Sequence, residues 1–165
     1  RVAITDELTG LHNMSFFRKR LRVAMRRVRL TGAELSVIML DIDHFKAVND
    51  IHGHLFGSFV LRELGRIIRR NVRSEDVAAR FGGDEFIILC PDGSLAGAQH
   101  LAQRLCQDVA RHTFRRGEQA VHITLSGGVS TLLPGEPDDG GIALIHRADQ
   151  LLYIAKGRGR EQLAF

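Results

Sequence analysis

Two acidic clusters carry the chemistry that this sequence offers. Asp41 and Asp43 follow the apolar run Leu35 to Leu40, and Asp84 and Glu85 sit between the apolar runs Val77 to Phe81 and Phe86 to Cys90. Carboxylates brought together repel each other unless a cation neutralises them. A few carboxylates beside substrate phosphates form the donor set that Mg²⁺ takes. A cation held there activates a hydroxyl and stabilises phosphoryl transfer. That chemistry requires the two clusters to converge, so the first run and the later pair of runs must be neighbours in one sheet. Left apart, Asp41 and Asp43 would only cap a helix and Asp84 would fill a turn. Gly82 and Gly83 precede the second cluster. Backbone without side chains lets a ligand come close, so this turn is a seat for a sugar hydroxyl.

The elements that must position these residues are read from apolar spacing. Ser15 to Leu30 places Phe17, Leu21, Ala24, Met25 and Val28 at helical intervals, and Gly32 supplies a stop. Leu35 to Leu40 is continuously apolar and reads as a buried strand. Phe59 to Asn71 reads as a helix with Val60, Leu64, Ile67 and Ile68 inward. Val77 to Phe81 and Phe86 to Cys90 are short strands, and Gly82-Gly83 between them signals a tight hairpin. Leu95 to Thr113 is expected as a helix, Val121 to Thr131 as one strand, Ile142 to Lys156 as a helix and Gln162 to Phe165 as a last strand. The embedded β-α-β-β-α-β order is ferredoxin-like, the arrangement of polymerase and cyclase palms. The expected fold class is therefore α+β: a central, mostly antiparallel sheet with a palm core, flanked by helices and carrying the hairpin.

Composition narrows the partners. The 165 residues fit one domain, and a hydrophobic content of 44% is enough for a real core. No run is apolar for long enough to span a bilayer, so a cytoplasmic domain without membrane contact is expected. The chain opens at Arg1 rather than methionine and reads as a fragment, residues 1–165 being one catalytic domain behind an upstream sensor or regulatory domain. Cys90 and Cys106 form no CxxC pair and read as buried free thiols. The eight histidines show no HExxH spacing.

The net charge of +4 suits a polyanionic ligand. With no Trp and one Tyr, a base-stacking platform for a nucleic acid polymer is disfavoured, and nucleotide phosphates explain the charge more simply. The other reading is a solvated helix face, because Arg18, Lys19, Arg20, Arg22, Arg26, Arg27 and Arg29 share one helical stretch.

Gly82-Gly83-Asp84-Glu85-Phe86 resembles the signature of the GGDEF diguanylate cyclases. Three further segments resemble that family in the right order. They are Asp6-Glu7-Leu8-Thr9-Gly10-Leu11 with Asn13, then Asp41-Ile42-Asp43-His44-Phe45-Lys46 with Asn49-Asp50 and Gly53-His54, and finally Tyr153, Ala155-Lys156 and Gly159-Arg160. The resemblance covers nearly the whole chain. It implies a cyclase joining two purine nucleoside triphosphates head to tail, each held by one copy of a homodimer. A monomer would then be inactive.

The resemblance also implies roles. Asp41, the Ile42 carbonyl, Asp84 and Glu85 would hold Mg²⁺ or Mn²⁺, two ions per half-site. Gly83, Asp84, Glu85 and Lys46 would form the catalytic set. The amides of His44, Phe45 and Lys46, with Lys156 and Arg160, would hold the β and γ phosphates. Asn49 and the residue at position 58 would read the base, and His54 would be structural. Arg73 and Asp76 form an RxxD, and with Arg104 they resemble the family's product-inhibition site. A surface ion pair at a helix end is the other reading of that motif.

The chain departs from the pattern in places. Ser58 stands where the family commonly has an aspartate that accepts from guanine. A hydroxyl donates or accepts, so adenine should be tolerated. This resembles the hybrid-promiscuous subgroup, which makes 3′,3′-cyclic GMP-AMP from ATP and GTP. Cyclic di-GMP and cyclic di-AMP would be side products. The other readings are an ordinary diguanylate cyclase, with Asn49 still selecting GTP, and a degenerate domain that binds nucleotide or cyclic di-GMP as a receptor. The presence of Asp41, Asp84, Glu85 and Lys156 disfavours the receptor. Met14, Gly127 and Glu161 also depart, from a common arginine, isoleucine and asparagine. Weakened structural or dimer contacts are expected at Met14 and Glu161.

Overall fold

The computed structural model describes residues 3–165. Helix α1 spans Met14–Thr31, capped by Asn13, whose side chain accepts from the Phe16 amide at 3.0 Å, and closed by Gly32 in the left-handed conformation. Strand β1 (Leu35–Ile42) follows, then helices α2 (Phe45–His52) and α3 (His54–Asn71). The hairpin strands are β2 (Val77–Arg80) and β3 (Glu85–Pro91), and α4 covers Leu95–Arg111. A small ribbon of β4 (Phe114–Arg116) and β5 (Gln119–Val121) precedes β6 (Leu125–Thr131), α5 (Ile142–Gly157) and β7 (Leu163–Ala164).

The main sheet runs β2-β3-β1-β6-β7, antiparallel throughout except for the β6–β7 pair. The first four strands carry the expected ferredoxin-like order. β1 lies at the centre and is buried on both faces, which is why it reads as continuously apolar. Ile38, Leu40 and Ile42 join a cluster with residues of α3 and α4. Leu35, Val37 and Met39 join a second cluster with residues of α1 and α5. The period-2 alternation thus sorts one strand into two cores.

The structure corrects two element readings. The expected strand over 121–131 is two strands, with residues 122–124 between them, and β4 pairs with β5 as a separate ribbon. Helix α2 was not expected, and α3 begins five residues earlier than the apolar spacing implies. Within α2 only Val48 is buried, so its spacing leaves little signal.

Candidate active site

β1 and β3 are neighbours in register, with Asp41 opposite Glu85. The hairpin tip therefore stands beside the end of the central strand, and the Ile42 amide donates to the Asp84 carbonyl at 3.2 Å. Asp41 and Asp84 meet. The Asp41 Oδ2 lies 2.9 Å from Lys156 Nζ, while its buried Oδ1 has no hydrogen-bond partner. Burial pushes the Asp41 carboxyl up to about 6; Lys156 opposes the rise and the neighbouring Asp84 adds to it. Burial also raises Glu85, with Asp149 and Asp84 adding repulsion.

This arrangement fits a divalent cation. An orphaned buried carboxylate oxygen is costly, and a carboxylate neighbour makes it more so. One lysine does not cancel both. Among the described residues no group of three His, Cys, Asp or Glu side chains is poised around one point. Asp41 and Asp84 thus form a two-carboxylate site, the kind that Mg²⁺ completes with substrate phosphates.

Asp43 does not join them, contrary to the expected convergence of both β1 carboxylates. It is 4% exposed, and it accepts from Thr124 Oγ1 and Ser126 Oγ, each at 2.7 Å, and from the Glu161 amide at 3.1 Å. Lys156 Nζ lies 3.7 Å away. The Asp43 carboxylate thus spends its acceptors on tying β1 to the start of β6 and to the turn after α5.

A cavity of about 400 Å³ opens beside Asp84. It gathers Phe45, Lys46, Asn49, Ser58, Gly83 and Asp84, with Leu8, His54, Leu61 and Arg80 completing the wall. Phe45 and Lys46 open α2, where the first N–H groups have no intrahelical acceptor and favour an anion. His44 precedes them in the left-handed conformation and borders a separate groove, with Asp43. Glu85, Lys156 and Arg160 do not line the 400 Å³ cavity. Lys156 is engaged with Asp41, and Arg160 sits exposed in the turn after α5 with φ of 63°.

Several residues emerge here that spacing did not mark. Gly57 packs so closely on Asn49 that a Cβ would collide with its Oδ1 and press the Phe45 ring at 3.3 Å. Without that glycine the Asn49 amide would lose its place. His54 stands one helical turn before Ser58 and lines the same cavity, although a structural role was expected for it. Arg80 donates to the Gly82 carbonyl at 3.1 Å and to the Gly83 carbonyl at 2.8 Å, and pairs with Asp6 at 3.5 Å. Asp6 in turn accepts from the Thr9 amide and hydroxyl. The hairpin tip is thus braced to the opening segment. Neither Gly82 nor Gly83 adopts a positive φ. A Cβ on Gly83 would meet nothing within 4 Å, so Gly83 leaves open space beside Asp84.

Arg73, Asp76 and Arg104 are also brought together, on a second cavity of about 330 Å³ that includes Asn71 and His100. Asp76 accepts from the Arg73 backbone amide at 2.8 Å rather than pairing with its guanidinium. Arg104 is held by the Asn71 side chain at 2.9 Å and backbone carbonyl at 2.8 Å. Burial raises the Asp76 carboxyl.

Of the departures, Gly127 is filled by its neighbours: a Cβ would meet Leu163 at 2.7 Å and Leu40 at 2.8 Å. Met14 packs, half-buried, against the cluster beneath α1. Glu161 has a φ of 47°, a conformation that asparagine enters more readily, and supplies Asp43 with a backbone donor.

The profile described as "Diguanylate cyclase, GGDEF domain" matches residues 3–162. The chain is 40% identical over 161 residues to the response regulator PleD of Caulobacter vibrioides, covering 96% of this chain and 35% of PleD. It is 40% identical to the diguanylate cyclase DgcP of Pseudomonas aeruginosa, covering 98% of this chain and 24% of DgcP. The chain thus spans about a third or less of these two relatives. The GGDEF domain of DgcB from Caulobacter crescentus, solved with c-di-GMP, superposes with a TM-score of 0.92 at 32% identity, covering 99% of this chain and 96% of that one. With the acidic pair, the hairpin signature and the whole fold in agreement, the chain belongs to the GGDEF diguanylate cyclase domain family.

Proposed function

We propose that this domain condenses two purine nucleoside triphosphates into a 3′,3′-cyclic dinucleotide with release of pyrophosphate. The observation that carries this reading is the buried, unpartnered Asp41 oxygen beside Asp84, which itself borders a cavity lined by Asn49 and Ser58. Asp41, Asp84 and the Ile42 carbonyl would hold Mg²⁺ or Mn²⁺, with Glu85 serving a second ion. The cation would neutralise phosphate charge and acidify the attacking 3′-hydroxyl.

The chain's own groups do the rest. The α2 amides and Lys46 hold the triphosphate. Lys156 holds Asp41 at 2.9 Å, and Lys156 and Arg160 would supply positive charge to the phosphates. Where Glu85 is not taken up by the second ion, it would support the reacting hydroxyl instead. Two copies face each other, so that each 3′-hydroxyl attacks the other's α-phosphorus.

Ser58 sets the base choice in this proposal. A serine beside Asn49 offers no fixed negative charge against adenine N1, so ATP enters with GTP and the main product is cyclic GMP-AMP. Cyclic di-GMP and cyclic di-AMP accompany it. The product binds back at Arg73, Asp76 and Arg104, where arginine forks meet phosphates and guanine edges. The names of two relatives of this chain, the diguanylate cyclases DgcP and VdcA, favour a second reading, an ordinary diguanylate cyclase making cyclic di-GMP from GTP.

The test is product analysis by mass spectrometry with the domain forced to dimerise and given equal ATP and GTP with Mg²⁺. Cyclic GMP-AMP as main product, shifting to cyclic di-GMP in Ser58→Asp, is the expected result. Cyclic di-GMP alone from both proteins overturns the base assignment. No product, with nucleotide still bound, overturns the activity.

A further inference from the structure

The basic excess of this chain lies on one helix. α1 carries Arg18, Lys19, Arg20, Arg22, Arg26, Arg27 and Arg29 and no acidic residue. Without these seven, the net charge of +4 becomes −3. All seven are exposed, and none lines the nucleotide cavity or the RxxD cavity. The nucleotide phosphates, the simpler explanation from the sequence, therefore do not account for these seven, which form the exposed basic helix face that was the other reading. Like charges a turn apart on one helix are mutually destabilising. Only Arg27 and Arg29 find carboxylates among the described residues, Asp92 at 3.0 Å and Asp138 at 3.7 Å.

The outward stripe is mixed in a particular way. Phe17, Leu21, Ala24 and Met25 face the core. Opposite them, at helical spacing, lie Lys19, Arg22, Val23, Arg26 and Leu30. Val23 is 55% exposed and Leu30 is 87% exposed. Cations alone would suit any polyanion. Two apolar side chains set among them suit a surface that offers phosphates with hydrocarbon just beneath, which nucleic acid does not.

We infer that the outer face of α1 docks on an anionic lipid bilayer, with Lys19, Arg22 and Arg26 on headgroup phosphates and Val23 and Leu30 at the acyl boundary. This reverses the expectation that the domain makes no membrane contact. It is independent of the nucleotide product.

The test is co-sedimentation of the whole chain with vesicles of phosphatidylcholine, with and without about a third phosphatidylglycerol. The chain should bind only the anionic vesicles, and less as salt rises. Lys19→Gln, Arg22→Gln and Arg26→Gln combined should lower partitioning about a hundredfold, since each cation near such a surface contributes about fivefold. Nucleotide affinity should stay at the parent value, which verifies the fold. Val23→Ser with Leu30→Ser should remove the binding that survives at high salt. Equal binding by the triple variant, no binding by the parent at low salt, or binding to duplex DNA in preference to vesicles would overturn the inference.

Discussion

Asp41 and Asp43 end one strand two residues apart, yet the regions they enter are opposites. Around Asp43, two hydroxyls and an amide point inward at a buried carboxylate. Around Asp41, a second carboxylate stands close, one oxygen has no partner, and the carboxyl is raised to about 6. Acceptors that are fully served hold a fold together. Acceptors left wanting, next to like charge and an open cavity, mark a place where a cation or substrate completes the structure. The two aspartates differ in what surrounds them, not in type.

Substitution should separate the regions sharply. Asp41→Asn is expected to reduce cyclase turnover by ~10³-fold or more, the scale for losing a preorganised charge-stabilising group, while leaving thermal stability unchanged or higher. Asp43→Ala should instead cost about 3 kcal/mol of stability by denaturant titration, because Thr124, Ser126 and the Glu161 amide lose a buried anionic acceptor. Full activity in Asp41→Asn, or an unchanged midpoint in Asp43→Ala, would erase the distinction.

The same contrast has a pH signature. In the folded, metal-free chain the Asp41 carboxyl sits near 6, above its ordinary value of 3.8. Between these values the folded state binds more protons than the unfolded one, so stability falls as pH rises from about 4 to about 6 and is level beyond. Melting temperatures across that window should show the decline, and Asp41→Asn should flatten it. A rise over the same window in the parent would contradict the assignment. The smallest effect is expected at Glu161→Asn. Asparagine relieves the left-handed backbone while keeping the amide bond to Asp43, for a gain of roughly 0.5 kcal/mol.

Much of this was written in the sequence. The period of α1, the apolar run of β1 and the glycine-containing turn before Asp84 gave most of the sheet and its helices. Local signals faded where tertiary partners decide. Helix α2 buries one residue, so its apolar spacing is almost silent. The ribbon of β4 and β5 is too short to alternate visibly and turns on Gly117, which has a φ of 63°. The fate of Asp43 depends on residues 124, 126 and 161, far along the chain. Its neighbour Asp41 looks the same until those partners are placed. Gly57 likewise reads as one more helix residue until Asn49 is seen against it.

Calorimetric titration of a non-hydrolysable GTP analogue, with and without Mg²⁺, into the parent, Asp41→Asn and Asp43→Asn addresses the cation site directly. The account predicts that Mg²⁺ tightens binding to the parent and to any folded Asp43→Asn, and that this gain disappears in Asp41→Asn. Equal Mg²⁺ dependence in the parent and Asp41→Asn would show that the cation sits elsewhere.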